Sequence, residues 1–235
     1  MDKSHDSLAI ESIYGHIERQ KLRLIALCSP KEKSGNSLIA LALARRAALA
    51  GRKVLLIEMN MQHPSQLKRC RAQLTQCTNS IEMWQDALYD TDQSGLQLLV
   101  APEDDLPHTE LKSQELLSEF FNQLLTQFDL VLCDTAPLLQ PRAGNIPADM
   151  VCSACEGTII NVLTNVTTEC QVAECSDVLK HCGAQLSGAV MNDNLAPSLQ
   201  QELIRETFRL EKKLPKLMAW FRHKIRQSMI INQSL

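Results

Sequence analysis

The 235-residue sequence predicts an α/β fold, a mostly parallel sheet with helices on both faces. Three observations lead there. Short apolar runs alternate with longer stretches of helical character, the pattern of a sheet covered on both sides. The run Val54 to Ile57 is continuously apolar rather than alternating, as a strand buried on both faces must be. Between Leu22 and Met59 an apolar strand, a polar loop, an Ala/Leu-rich helix and a second apolar strand follow in direct succession.

Each element can be justified in turn. Leu8, Ile13, Tyr14 and Ile17 recur at helical spacing and predict a first helix over 8–18. Leu22 to Cys28 is a short apolar strand, and Ser29 to Ser37 is a polar loop. Leu38 to Ala50 is rich in strong helix formers, with Gly51 placed to end it. Lys53 to Met59 is the next strand. Helices are expected around Pro64 to Gln73 and Ile81 to Leu88, then a strand from Leu96 to Val100. Leu111 to Phe128 reads as an amphipathic helix, and Phe128 to Cys133 as a buried strand ending at Asp134. Gly157 to Leu163 and Ser187 to Met191 are further strands, separated by a helix over Thr168 to His181 that Gly183 ends.

Three parts result: an N-terminal helix over 1–20, an α/β domain over 21–197, and a tail over 198–235. In the tail, Pro215 splits two helical stretches. Leu217, Met218, Phe221, Ile225 and Met229 share one face of the second. Seven basic residues (Arg209, Lys212, Lys213, Lys216, Arg222, Lys224 and Arg226) stand there against one acid, Glu211. Such a segment either touches an anionic membrane surface through residues 209–230 or packs on the domain.

Composition narrows the function. With 45 % hydrophobic residues, the chain can bury a sizeable core and is not of the disordered class. A net charge of −3 gives no general attraction to nucleic acid, and no reader motif is present. No apolar run approaches the length of a membrane span, and Met1 to Gln20 lacks the marks of a secretory signal, so a cytoplasmic protein is expected. Nine cysteines are scattered through apolar segments. Cys152 and Cys155 form a C-x-x-C pair, but no second pair stands at metal-site spacing, so the thiols read as small core residues. Asp104, Asp105 and His108 lie in a Pro-bounded loop and read as solvated.

The chemistry points to the loop S-P-K-E-K-S-G-N-S after the first strand. A phosphate-binding loop ending in G-K-[ST] cradles phosphate with backbone N–H groups, reaches the β/γ-phosphates with its lysine and binds Mg²⁺ through its hydroxyl. Here Gly35, Asn36 and Ser37 hold those places, so glycine and hydroxyl are kept and the lysine is not. Glu58 and Asn60 stand at the end of the second strand, and Asp134 at the end of a later one, where a carboxylate would hold Mg²⁺. Carboxyl ends of parallel strands are where open α/β sheets bind ligands.

These motifs resemble the cytoplasmic domain of bacterial tyrosine autokinases of capsule and exopolysaccharide synthesis, within the MinD/ParA class of P-loop ATPases. The resemblance rests on A-G-R-K-V-L-L-I-E-M-N-M-Q-H-P, F-D-L-V-L-C-D-T-A-P-L-L, I-P-A-D, E-G-T-I-I-N-V-L-T-N-V-T-T and G-A-V-M-N, and covers roughly residues 10–195. It implies a three-layer sandwich and ATP and Mg²⁺ as ligands, with Mg²⁺ on Ser37 and Asp134; the departures at Asn36, Asn60 and the loop glycines make that binding weak and not required. It also implies Asn192 as a base-recognition residue and Lys31 as the extra lysine of MinD-type loops. It further implies an inner-membrane polysaccharide co-polymerase or chain-length protein as partner, with the chain at the inner face of the membrane and able to form homo-oligomers.

Departures from the pattern qualify the activity. Asn36 replaces the lysine, Glu32, Lys33 and Ser34 replace loop glycines, and Glu58 and Asn60 replace two aspartates. Only Tyr14 and Tyr89 are available where the family carries a tyrosine-rich tail. In the family's N-terminal assembly helix a Glu precedes two Arg, and here Glu11 precedes Tyr14 and Ile17. The expected function is a non-kinase, pseudo-ATPase regulator or scaffold with Asp134 vestigial. The alternative is a weakly active ATPase using Lys31 or Lys33 in place of the lost lysine.

Overall fold

The structure, a computed structural model, describes residues 4–61, 64–70, 73–74, 88–100 and 113–193. The helices are α1 (Ser4–Gln20), α2 (Asn36–Leu49), α3 (Gln66–Arg69), α4 (Gln114–Leu125), α5 (Ala148–Ala154) and α6 (Glu169–His181). The strands are β1 (Leu24–Cys28), β2 (Val54–Glu58), β3 (Gln73–Leu74), β4 (Leu88–Asp90), β5 (Leu96–Val100), β6 (Leu130–Asp134), β7 (Gly157–Leu163) and β8 (Leu186–Asn192). They form one sheet in the order β3-β4-β5-β2-β6-β1-β7-β8. From β5 to β8 every pairing is parallel, and β4 and β3 continue the β5 edge antiparallel.

Alternation along the strands builds two cores, one on each face. Ile25, Leu27, Val54, Leu56, Leu130 and Leu132 face α1 and α2 and meet Ile17, Leu43, Ala44 and Ala47. Their sequence neighbours Ala26, Leu55, Ile57, Val131 and Cys133 face α4, α5 and α6 and meet Phe121, Leu124, Val151, Cys175 and Leu179. Strands β1, β2 and β6 are buried at every residue, because both faces are covered. The expected three-layer α/β architecture is therefore observed, with the strands at Leu24, Val54, Leu130 and Gly157 adjacent in it.

Several local expectations are corrected. The helix expected over 64–73 is the single turn α3, and residues 73–74 pair as a strand. Leu88 opens β4 rather than closing a helix, and the rest of that expected helix lies outside the described residues. β4 is three residues long, too short for alternation to show in sequence, and exists because it pairs with β5. α5 was not anticipated either. Seven residues after Pro147 span barely two turns, and tertiary packing of Val151 and Cys152 holds them helical. The long helix is shorter than expected, at Gln114–Leu125. The tail over 198–235 and the loop with Asp104, Asp105 and His108 lie outside the described residues.

Helix α1 is bound to the domain by its own chain. Ile10, Tyr14 and Ile17 enter the α2-side core, Glu11 pairs with Arg46, and Glu18 with Arg52 at 2.8 Å. The Arg46 guanidinium lies 4.5 Å from the centre of the Tyr14 ring. Cys28, Cys133, Cys152, Cys155 and Cys175 are buried in the opposite core. A thiol hydrogen bond to Cys152 together with burial pushes Cys28 well up, and burial pushes Cys175 up to about 12, so these groups stay protonated.

Candidate functional site

The site gathers where β1, β2 and β6 end and α2 begins. Parallel register sets Glu58 beside Asp134 on neighbouring strands and Leu27 beside Asp134 on the other side. The loop after β1 is folded by its own hydroxyls. Ser29 and Ser34 both donate to the carbonyl of Lys31. Lys33 (φ 59°) and Gly35 (φ 80°) take left-handed backbone conformations, one of them at a non-glycine residue. Its rim is tied to the segment after β6. The Leu138 amide donates to the Ser29 carbonyl at 2.8 Å, and Arg142 pairs with Glu32 at 2.7 Å.

Gly35 is required twice over. Its φ is one that L-residues rarely adopt, and an added Cβ would lie 2.6 Å from Nδ2 of Asn192. Asn192 and Asn161 both donate to the Ser34 carbonyl, at 2.8 and 2.9 Å. Asn192, expected to read a base, is thus seated against the loop backbone.

Asn36 is the first residue of α2 and is buried. Its Nδ2 donates to the Leu27 carbonyl and to Oδ1 of Asp134, each at 2.8 Å. The amide therefore turns inward to the sheet. The other oxygen of Asp134 accepts from Nε2 of Gln66 at 2.9 Å, and the Ser37 hydroxyl is a third hydrogen-bond partner. Gln66 also donates to the Ser37 carbonyl at 2.8 Å, which joins α3 to α2. Glu58 accepts from the backbone amides of Ser65 and Gln66, at the start of α3.

Both carboxyls feel their burial. Burial pushes Glu58 up to about 7, against the amide hydrogen bonds from Ser65 and Gln66, and the neighbouring Asp134 adds to the rise. Burial also raises Asp134, opposed by its hydrogen bonds from Ser37, Gln66 and Asn36 and by the charge of Arg69. Oδ1 of Asn36, Oε1 of Gln66 and Oδ1 of Asn161 are buried without a hydrogen-bond partner among the described residues.

Above this network lies a pocket of about 120 Å³, lined by Lys31, Lys33, Gly35, Ser37, Asn60 and Arg69 among others. Lys31 and Lys33 are exposed, and Asn60 is half-buried. The structure thus brings Lys31, Lys33, Gly35, Asn36, Ser37, Asn60 and Asp134 to one place, with Glu58 beneath and Asn192 behind. Two residues were missed by sequence reasoning, Gln66 and Arg69. Their signal was faint, a polar Q-L-K-R turn soon after the second strand, and only the folding of α3 over Glu58 brings them in.

Fit to Mg²⁺ with a triphosphate can be tested on this geometry. Phosphate-sized anions suit a helix N-terminus flanked by Lys31, Lys33 and Arg69. A triphosphate clamp suits it poorly. No ammonium rises from α2, and amide donors hold both oxygens of Asp134 where a cation would demand acceptors.

No protein-family model matches the chain. Tyrosine-protein kinase YwqD of Bacillus subtilis is 24 % identical over 183 residues, 76 % of this chain and 75 % of that protein. Tyrosine-protein kinase ptk of Acinetobacter johnsonii is 23 % identical over 203 residues, 81 % of this chain and 27 % of that longer protein. Among solved structures, the VpsO kinase domain superposes with a TM-score of 0.65 at 24 % identity, covering 80 % of this chain and 93 % of that one. The septum site-determining protein MinD of Pyrococcus horikoshii, solved with Mg-ADP, gives 0.56 at 20 % identity over 72 % of this chain and 69 % of that one. No helix among the described residues is long and apolar enough to cross a membrane. The chain is a homologue of the bacterial tyrosine-protein kinases, built on the fold of the MinD-like P-loop ATPases.

Proposed function

We propose that this chain is a non-kinase relative of the tyrosine autokinases, a pseudo-ATPase whose nucleotide site has become structural. On this reading it serves as a cytoplasmic regulatory or scaffold partner of an inner-membrane polysaccharide co-polymerase or chain-length protein. The observation that carries the reading is the Asn36 amide, held between the Leu27 carbonyl and Asp134 where the family's lysine would face phosphate. Gln66 supports it by occupying the second oxygen of Asp134. Loss of one preorganised stabiliser of transition-state charge costs roughly 10²–10³ in rate, and Asn60 in place of a carboxylate removes a second group. Tyr14 is buried beneath Arg46, which leaves Tyr89 as the remaining phosphoacceptor candidate within the chain.

Calorimetry with ATP and Mg²⁺, paired with hydrolysis and phosphotyrosine assays on the purified chain, tests the proposal. The expected outcome is no tyrosine phosphorylation and no turnover above that of an Asp134→Ala variant. Hydrolysis that Asp134→Ala abolishes would establish the weakly active ATPase instead, with Lys31, Lys33 and Arg69 as its cations.

A further inference from the structure

A shallow groove of about 770 Å³ runs along α6 beside α5, far from the phosphate loop in sequence. Among the described residues its carboxylates are Asp149, Glu174 and Asp177, with His181 beside them and no Lys or Arg in the lining. None of the three forms an ion pair among the described residues. The apolar part of its lining is Ala173, Val178 and Cys182. An apolar and acidic lining on an outer helix invites a segment that is apolar on one face and basic on the other.

This chain contains such a segment. Arg209 to Arg226 holds seven Lys/Arg against Glu211 alone, and Leu217, Met218, Phe221, Ile225 and Met229 recur at helical spacing. We propose that residues 209–229 of this chain dock in the α5–α6 groove, the apolar residues against Ala173, Val178 and Cys182 and the basic ones against Asp149, Glu174 and Asp177. Reach is no obstacle. The 16 residues from Asp193 to Arg209 can extend about 50 Å, while α6 with 13 residues is about 20 Å long. An attraction of exposed opposite charges weakens as salt is raised, so docking should loosen with ionic strength.

Cys170, exposed at the groove's edge, reports on occupancy. The experiment is maleimide labelling of the full chain, read at the peptide containing Cys170. Docking predicts slow labelling of the unaltered chain. It predicts severalfold faster labelling in Lys212→Glu/Lys213→Glu/Lys216→Glu, which leaves the surroundings of Cys170 untouched. Adding Glu174→Lys/Asp177→Lys to that variant should restore protection, an outcome that neither misfolding nor an altered thiol can imitate. Equal rates in the first two proteins, or failure of the charge swap to restore protection, overturns the proposal. Protection that grows with protein concentration overturns it in favour of a second copy. Salt-sensitive sedimentation with phosphatidylserine vesicles, without protection of Cys170 in solution, assigns the segment to a membrane surface instead.

Discussion

At residue scale the site rests on two buried carboxyls that accept hydrogen bonds from amides, and Glu58 shows what burial does. Its carboxyl is raised to about 7 in the folded chain, chiefly by burial, and returns to an ordinary value of about 4.5 when the chain unfolds. Between those values the folded state binds more protons than the unfolded one, so stability falls as pH rises. The contribution is fully present below about 4.5 and is lost as pH passes through about 7. A gap of this size corresponds to roughly 3 kcal/mol. Glu58→Gln should therefore flatten the stability profile between pH 4.5 and 7, measured by urea unfolding across that range. An unchanged slope would mean that another group carries it. Gly35 makes a second residue-scale prediction. Gly35→Ala should lose about 1–2 kcal/mol from its left-handed backbone alone, with a further loss from the contact with Asn192. The double variant Gly35→Ala/Asn192→Ala should recover the contact only in part, because the Ser34 carbonyl then loses a donor. Strict additivity of the two single changes would show that the contact is relieved by other means.

At the scale of elements, α1 is the informative one. Ile17 is fully buried against α2, and two ion pairs and the Tyr14–Arg46 contact close over it. The exposed ion pairs contribute little, about 0–1 kcal/mol each, so packing holds the helix. Ile17→Ala should cost about 2–5 kcal/mol in denaturant unfolding. Hydrogen exchange should then rise in α1 before it rises in β1 or β6. Simultaneous loss of protection in all three would make α1 inseparable from the sheet. Glu11, which could begin an assembly helix, is engaged by Arg46 of its own chain. α3 is the other element with consequences, since one turn of four residues carries both Gln66 to Asp134 and Arg69 to the pocket.

At the scale of the whole molecule, the sequence by itself determined the layered architecture, because hydrophobic pattern is local information. Continuous apolar runs mark strands covered on both faces, and the run Val54 to Ile57 needs no partner to be recognised. Leu96 to Val100 and Gly157 to Leu163 were legible to the residue for the same reason. The position of Asp134 at a strand end was equally plain, and with it the place of the site. Pairing decided the rest. β3 and β4 are too short to show a period and exist through β5, and α5 exists through the core beneath it. Gln66 reaches Asp134 across 68 residues, and Asn192 reaches Ser34 across 158. Hydrogen bonds of that span obey no spacing rule along the chain. Which way the Asn36 amide faces was likewise open until β1, α2 and β6 were assembled, for an amide turns to whichever partners the tertiary structure sets beside it.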